Sequence, residues 1–144
     1  EEKMLMMKEK HNVTIVQGNI YNTEVDIYAP CALGGTLNEV TIPQLKCTII
    51  AGAANNQLAK ENIHDELLRK YNILYAPDFL INAGGLINVY SELKGFSKNA
   101  VKEKTEKIFD TTIAILKKSN KEDISSQKAA LKIAKEKVFK TENI

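Results

Sequence analysis

Three apolar runs each break into a turn of small residues or amides: DIYAPCALGG from Asp26 to Gly35, IIAGAANNQL from Ile49 to Leu58, and LYAPDFLINAGGLINV from Leu74 to Val89. Continuous apolar runs are the mark of strands buried on both faces, which is the condition of a parallel sheet with helices above and below. Each run gives way to Gly, Ala or Asn, residues short enough to let a ligand or another backbone come close. In open α/β sheets, ligands bind at the carboxyl ends of the strands. The pattern therefore constrains fold and site together: an α/β chain whose candidate site is the row of turns following its strands.

The other elements agree with that frame. β-branched or apolar runs at Val13 to Val16, Val25 to Ala29, Cys47 to Ala51 and Ile73 to Ala76 predict strands, each bounded by turn-forming residues. Between them, Ala59 to Tyr71 predicts a helix with Ile63, Leu67, Leu68 and Tyr71 on its inner face. Thr41 with Gln44 three residues on has the spacing of a capping box, with Pro43 near the start of a short helix. A helix is expected from Ala83 to Leu93, starting on Gly84 and Gly85 and stopped by Gly95, with Ser97 capping the next. From Lys98 to Lys118, Val101, Ile108, Phe109, Thr112, Ile115 and Leu116 recur at helical spacing. After the polar break SNKEDISS, Ser126 to Phe139 repeats the pattern through Ala130, Ala134 and Val138. EEKMLMMKEKH at the start reads as the tail of a helix.

Composition excludes several classes. With 144 residues and 44% hydrophobic content, the chain can bury one ordinary core. Net charge is only +2, and no patch combines clustered Arg with aromatic residues, so nucleic acid is not an expected partner. The lysines crowding the last two helices read as a solvated face. No apolar stretch is long enough for a membrane span and no signal-peptide pattern opens the chain, so a cytoplasmic protein with no membrane partner is expected. Cys31 and Cys47 have neither metal spacing nor a disulfide framework, and no metal is assigned. Cys47 reads as a small buried apolar residue. His11 and His64 lie in polar surroundings and are expected at the surface.

The three strings, in this order, resemble the amino-acid dehydrogenases that act on glutamate, leucine, valine and phenylalanine. The resemblance runs from about Asp26 to about Gly95. The glutamate branch of that family has a Gly-Ala-Asn turn followed by Gly or Pro; Ala54, Asn55, Asn56, Gln57 and Leu58 are more similar to the leucine branch, that of leucine dehydrogenase. The resemblance implies a Rossmann-like dinucleotide-binding domain using NAD, with residues 1–95 as part of that domain and residues 96–144 as helices for interdomain and subunit packing. A homo-oligomer is implied for the full-length protein.

The resemblance also assigns roles. Ala29, Cys31 and Ala32 would run along the coenzyme, with Cys31 open to thiol reagents without being a nucleophile. Ala54 and Asn55 would lie near the nicotinamide ribose, and Asn82 near the carboxamide or the substrate. Asn56 would face the substrate carboxylate. Taken singly, Asn55 and Asn56 fit a turn tolerant of left-handed backbone, and Asn82 a helix N-cap; their place at successive strand ends favours the ligand role. Leu86 and Val89, three apart on one helix face, would meet the substrate side chain, or else serve as core. The glutamate branch carries a hydroxyl residue at the second of these positions. Val89 there implies an apolar pocket, in which a buried carboxylate would be unpaired. A branched-chain L-amino acid and its 2-oxo acid are thus the expected substrate pair, interconverted by oxidative deamination with release of ammonium and NADH.

The glycine-rich GxGxxG turn and the acidic residue after the next strand, which seat a dinucleotide, do not occur in these residues. Nor do counterparts of the family's catalytic lysines and aspartate. The expectation is a carboxy-terminal part of a longer dehydrogenase, truncated or proteolysed, with no catalytic residue of its own and inactive alone. Two other readings stand beside it: a non-catalytic half-fold serving regulation or assembly, and a glutamate-type enzyme.

Overall fold

In the computed structural model, which describes residues 2–141, the chain is α/β, as its alternating pattern predicts. Helix α1 (Glu2–His11) buries no residue. Strands β1 (Ile27–Tyr28), β2 (Ile49–Ile50) and β3 (Leu74–Tyr75) form a 3-stranded parallel sheet in the order β1-β2-β3. Ile27 pairs with Ile49 and Ile49 with Leu74, so the three apolar runs lie in register and end on one sheet edge. Helix α2 (Glu61–Lys70) connects β2 to β3, and α3 (Asp78–Ile81), α4 (Gly84–Leu93), α5 (Lys98–Glu122) and α6 (Ser126–Thr141) follow. Leu37, Ile42, Ile50, Leu68 and Tyr75 make the centre of the core, with Cys47 buried beside them as expected. A second cluster joins Ile115 of α5 to Ala129 and Ala130 of α6, where alanines let the two helices approach closely.

Several sequence expectations are corrected. Val13 to Val16 forms no strand and is largely exposed, because β-propensity alone does not make a strand without a ladder to join. Thr41 makes no side-chain cap; its hydroxyl donates to the Thr36 carbonyl and accepts from the Asn38 amide, while Gln44 donates to the Val40 carbonyl. Helix α5 runs through Ser119 to Glu122 rather than stopping before them. The Lys118–Glu122 pair, 2.7 Å apart and one turn on, extends it, and the break comes at Asp123 in left-handed backbone. Phe109, expected on the packed face, is exposed. Ser97 does cap α5, accepting from the Ala100 amide.

The clearest correction is α2. Ile63 and Tyr71 face solvent, and the buried stripe is His64, Asp65 and Leu68. His64 is inside because its ring is partnered, whereas Asp65 is enclosed against the start of α6 with its Oδ2 lacking a hydrogen-bond partner among the described residues. His64 Nδ1 accepts from the Lys60 amide at 2.9 Å, which leaves Nε2–H to donate to Glu39 at 2.8 Å. The Glu39 carboxyl is held below the usual range by its own backbone amide and then by His64. Burial pushes the Asp65 carboxyl up, opposed by the Ser125 hydroxyl and the backbone amides of Gln127 and Lys128 at the start of α6. Replacing His64 with Ala is expected to cost about 2 kcal/mol in denaturant unfolding, because the buried ring is removed and the part-buried Lys60 amide loses its acceptor. A surface histidine, as the sequence suggested, would give a change near zero.

Glu122 ties α5 to α6 through Lys132 at 2.8 Å and also pairs with Lys118 one turn back on its own helix. Lys118 and then Lys132 pull its carboxyl down to about 2 from an ordinary 4.5. A lowered folded value means the contribution is fully present above pH 4.5 and is lost as pH falls toward 2. Glu122→Gln is expected to remove that part of the acid dependence, read as unfolding midpoints at neutral and at low pH.

Candidate functional site

The site is built where the first two apolar runs leave the sheet side by side. The Ala51 amide donates to the Tyr28 carbonyl at 3.1 Å, Ala54 to Pro30 at 2.9 Å, Gly35 to Asn56 at 2.7 Å and Leu37 to Gln57 at 3.0 Å. The strand-like pairing thus continues past the strands into the turns. Two glycines make this approach possible. A Cβ on Gly34 would stand 2.5 Å from the Asn55 carbonyl oxygen, and one on Gly52 would run into the backbone of Pro30. No side chain fits at either place.

Asn55 and Asn82, on turns after β2 and β3, are joined directly: Asn82 Nδ2 donates to Asn55 Oδ1 at 2.6 Å. Asn55 is exposed and Asn82 half-buried. The bond leaves the Asn55 amide NH2 as a donor and the Asn82 carbonyl as an acceptor at the carboxyl edge of the sheet. A carboxamide such as that of nicotinamide carries one acceptor and one donor, so the pair is chemically complementary to it. Asn82 does not cap α4, whose N-cap is Ala83. Asn56 has left-handed backbone, φ 52°, and its side chain is exposed next to the pair.

The remaining predicted site residues distribute around this edge. Ala29, Cys31 and Ala32 are exposed on the turn after β1, and Cys31 Sγ accepts from the Ala53 amide at 3.5 Å. Ala54 is buried as a residue, with its amide bonded to the Pro30 carbonyl and its carbonyl to the Gln57 side chain, so the structure does not present it to a ligand. Leu86 and Val89 are 74% and 55% exposed on α4 and take no part in the core of the described residues.

Beneath the amides lies a buried scaffold that the sequence did not single out. Gln57 is fully buried and its side-chain NH2 donates to the carbonyls of Gly52 at 2.7 Å and Ala54 at 2.9 Å. Its backbone amide donates to Asp78 Oδ2 at 2.9 Å, and the other Asp78 oxygen accepts from the Phe79 amide at 2.8 Å. The Asp78 amide in turn donates to the Tyr75 hydroxyl at 3.3 Å. Burial, and then the charge on Asp78, push the Tyr75 phenol above its ordinary value. The available signal was a Gln directly after the two asparagines of the turn and an Asp directly after a strand-ending Pro.

A cavity of about 410 Å³ opens elsewhere, between the end of α2, the start of β3 and the α5–α6 turn. The Arg69–Asp123 ion pair sits at it, and no predicted site residue lines it.

Comparison with known proteins agrees with the fold and the motifs. The family model for Glutamate/Leucine/Phenylalanine/Valine dehydrogenase matches residues 1–143, and the chain belongs to that family. It is similar to the L-tryptophan dehydrogenase of Nostoc punctiforme, at 45% identity over 92% of this chain and 38% of that protein. The crystal structure of that dehydrogenase superposes with a TM-score of 0.94 at 43% identity, covering 99% of this chain and 43% of the other. A leucine dehydrogenase of Bacillus cereus is 45% identical over 94% of this chain and 37% of its own length. A phenylalanine dehydrogenase of Bacillus thermotolerans is likewise 45% identical, over 88% and 33%. The chain therefore spans 33% to 38% of the length of these relatives. Among the described residues, no helix is long and apolar enough to cross a membrane.

Proposed function

We propose that this chain supplies the coenzyme-side portion of an NAD-dependent L-amino-acid dehydrogenase of leucine type, which in its full-length, homo-oligomeric form converts branched-chain L-amino acids to 2-oxo acids and ammonium. The observation that carries the reading is the amide pair at the carboxyl edge, Asn82 to Asn55 at 2.6 Å, flanked by exposed small residues from the turn after β1. NAD would supply the hydride acceptor. The residues of this chain bind and orient: Asn55 and Asn82 present a donor and an acceptor, Ala29, Cys31 and Ala32 offer a flat wall, and Asn56 faces the substrate carboxylate. Residues 1–95 are read as coenzyme domain and 96–144 as packing helices. Holding the two reactants is separate from moving protons, and no lysine or carboxylate at this edge is poised for the latter. The 144-residue chain alone is expected to turn over no NAD.

The test is turnover of the full-length protein with leucine, valine, phenylalanine, tryptophan and glutamate under NAD and NADP. Leucine or valine with NAD is expected to give the highest kcat/KM. An aromatic substrate is the second reading, favoured by relatives of equal identity named for tryptophan and phenylalanine. Glutamate above the rest would sink both, and no turnover with any would favour a non-catalytic module.

Cysteine labelling gives an independent check. Cys31 is exposed, whereas Cys47 is buried and its thiol is pushed up by that burial. In the native protein, iodoacetamide is expected to modify Cys31 well before Cys47, as mapped by mass spectrometry, and NADH is expected to slow the reaction at Cys31. Labelling of Cys31 at an unchanged rate under saturating NADH would remove this residue from the coenzyme wall.

A further inference from the structure

We infer that Gln57 and Asp78 are positioning residues that together set the separation of the Asn55 and Asn82 amides, Gln57 through its side-chain bonds to the Gly52 and Ala54 carbonyls and Asp78 through its carboxylate on the Gln57 backbone amide; this rests on the reading that those amides face the coenzyme. The four residues close a ring. Asn55 lies two residues before Gln57, whose amide donates to Asp78 Oδ2 at 2.9 Å. Asp78 begins α3, and one turn later the Asn82 amide donates to the Asp78 carbonyl at 3.0 Å. Asn82 Nδ2 then returns to Asn55 Oδ1 at 2.6 Å. Two of the four, Gln57 and Asp78, are buried, and the other two reach the surface.

Each bond of the buried half has a purpose that packing alone does not require. The Gln57 side chain spends both amide hydrogens on the carbonyls of Gly52 and Ala54, drawing the chain into a tight loop directly before Asn55. An apolar residue of similar size would fill the space and leave those carbonyls unpaired. The Asp78 carboxylate bonds only backbone amides, one from each turn, so it acts as a strut between them. Charge-assisted bonds to a buried carboxylate are among the stiffer links available to a loop. Without the strut, the two amides would sit on independently moving turns, and displacement of an orienting group by about 1 Å can cost about 100-fold in rate.

A double-mutant cycle in the full-length dehydrogenase tests this. Asn55→Ala, Gln57→Met and the double variant are compared by kcat/KM for NAD and by NADH dissociation constant. If Gln57 acts through Asn55, Gln57→Met is expected to lower kcat/KM by about 10- to 100-fold when Asn55 is present and by less than about 3-fold when it is Ala. An equal loss in both backgrounds would overturn the inference and leave Gln57 a general stabiliser, while the coenzyme reading would stand. If Asn55→Ala itself changes neither quantity, the coenzyme reading fails and the inference with it. Should Gln57→Met not fold, Asp78→Ala serves in its place, since it removes the acceptor of the Gln57 backbone amide while leaving the Gln57 side chain intact. The same dependence on Asn55 is expected of it, and the same equal loss would be decisive against.

Discussion

Gly52→Ala is expected to destabilise the protein by about 3 kcal/mol or more, beyond what a methyl group usually costs in a core. The added Cβ would stand against the carbonyl oxygen of Pro30 and 2.5 Å from its nitrogen, and backbone atoms cannot swing aside as a side chain does. The neighbouring bonds from Ala51 to Tyr28 and from Ala54 to Pro30 hold the two segments at that distance, so relief requires breaking the parallel pairing at the base of the site. Gly85 provides the contrast. It lies early in α4 with nothing near its would-be Cβ, so Gly85→Ala is expected to be neutral or to stabilise by roughly 0.5 kcal/mol through helix propensity. Denaturant unfolding of the two variants in the full-length protein separates the cases. Equal midpoints would show that the first two turns are not clamped as described.

The difference between these glycines marks how far the sequence could be read. Both stand in runs of small residues, and the sequence shows that a close approach occurs somewhere in such a run. It does not show whether the approaching atoms are a ligand or another turn. At Gly34 and Gly52 they belong to the neighbouring turn, a non-local pairing that no spacing along the chain encodes. The parallel sheet was legible in its unbroken apolar runs, but burial on both faces was not borne out among the described residues: Ile50 and Tyr75 are inside, whereas Ile27 and Leu74 on the opposite face are 54% and 41% exposed, because no helix of the described residues covers that face. The α2 stripe was not legible. Apolar periodicity pointed to Ile63 and Tyr71, yet His64 and Asp65 are inside, held by Glu39 and by the start of α6. His64 becomes a core residue because its partner Glu39 arrives, and Asp65 because α6 encloses it, and both neighbours come from elsewhere in the chain. Gln57 and Asp78 escaped notice for the same reason. Asn55 and Asn82 were legible as a pair because each follows a strand, and adjacent parallel strands must bring their ends together.

Val89→Asp is expected to lower kcat/KM for leucine by about 100-fold or more while leaving NADH affinity within about 2-fold, because in the proposed substrate pocket a carboxylate would be desolvated without a partner when the apolar side chain binds. The argument starts from exposure. At 55%, Val89 is free of the core, so the substitution carries little folding cost and its effect reports on the pocket. Leu86, one turn back and 74% exposed, shares the face and would contact the same substrate group. Its counterpart Leu86→Ala enlarges the space without adding charge, and should shift preference toward bulkier side chains rather than abolish turnover. The two variants therefore discriminate between substrate readings. If the natural substrate is branched-chain, Leu86→Ala raises the ratio of phenylalanine to leucine turnover; if it is aromatic, that ratio already exceeds one in the unsubstituted enzyme and Val89→Asp depresses both. Leucine turnover unaffected by Val89→Asp would mean that α4 presents this face to something other than the substrate, and the apolar residues along it would then belong to a packing surface.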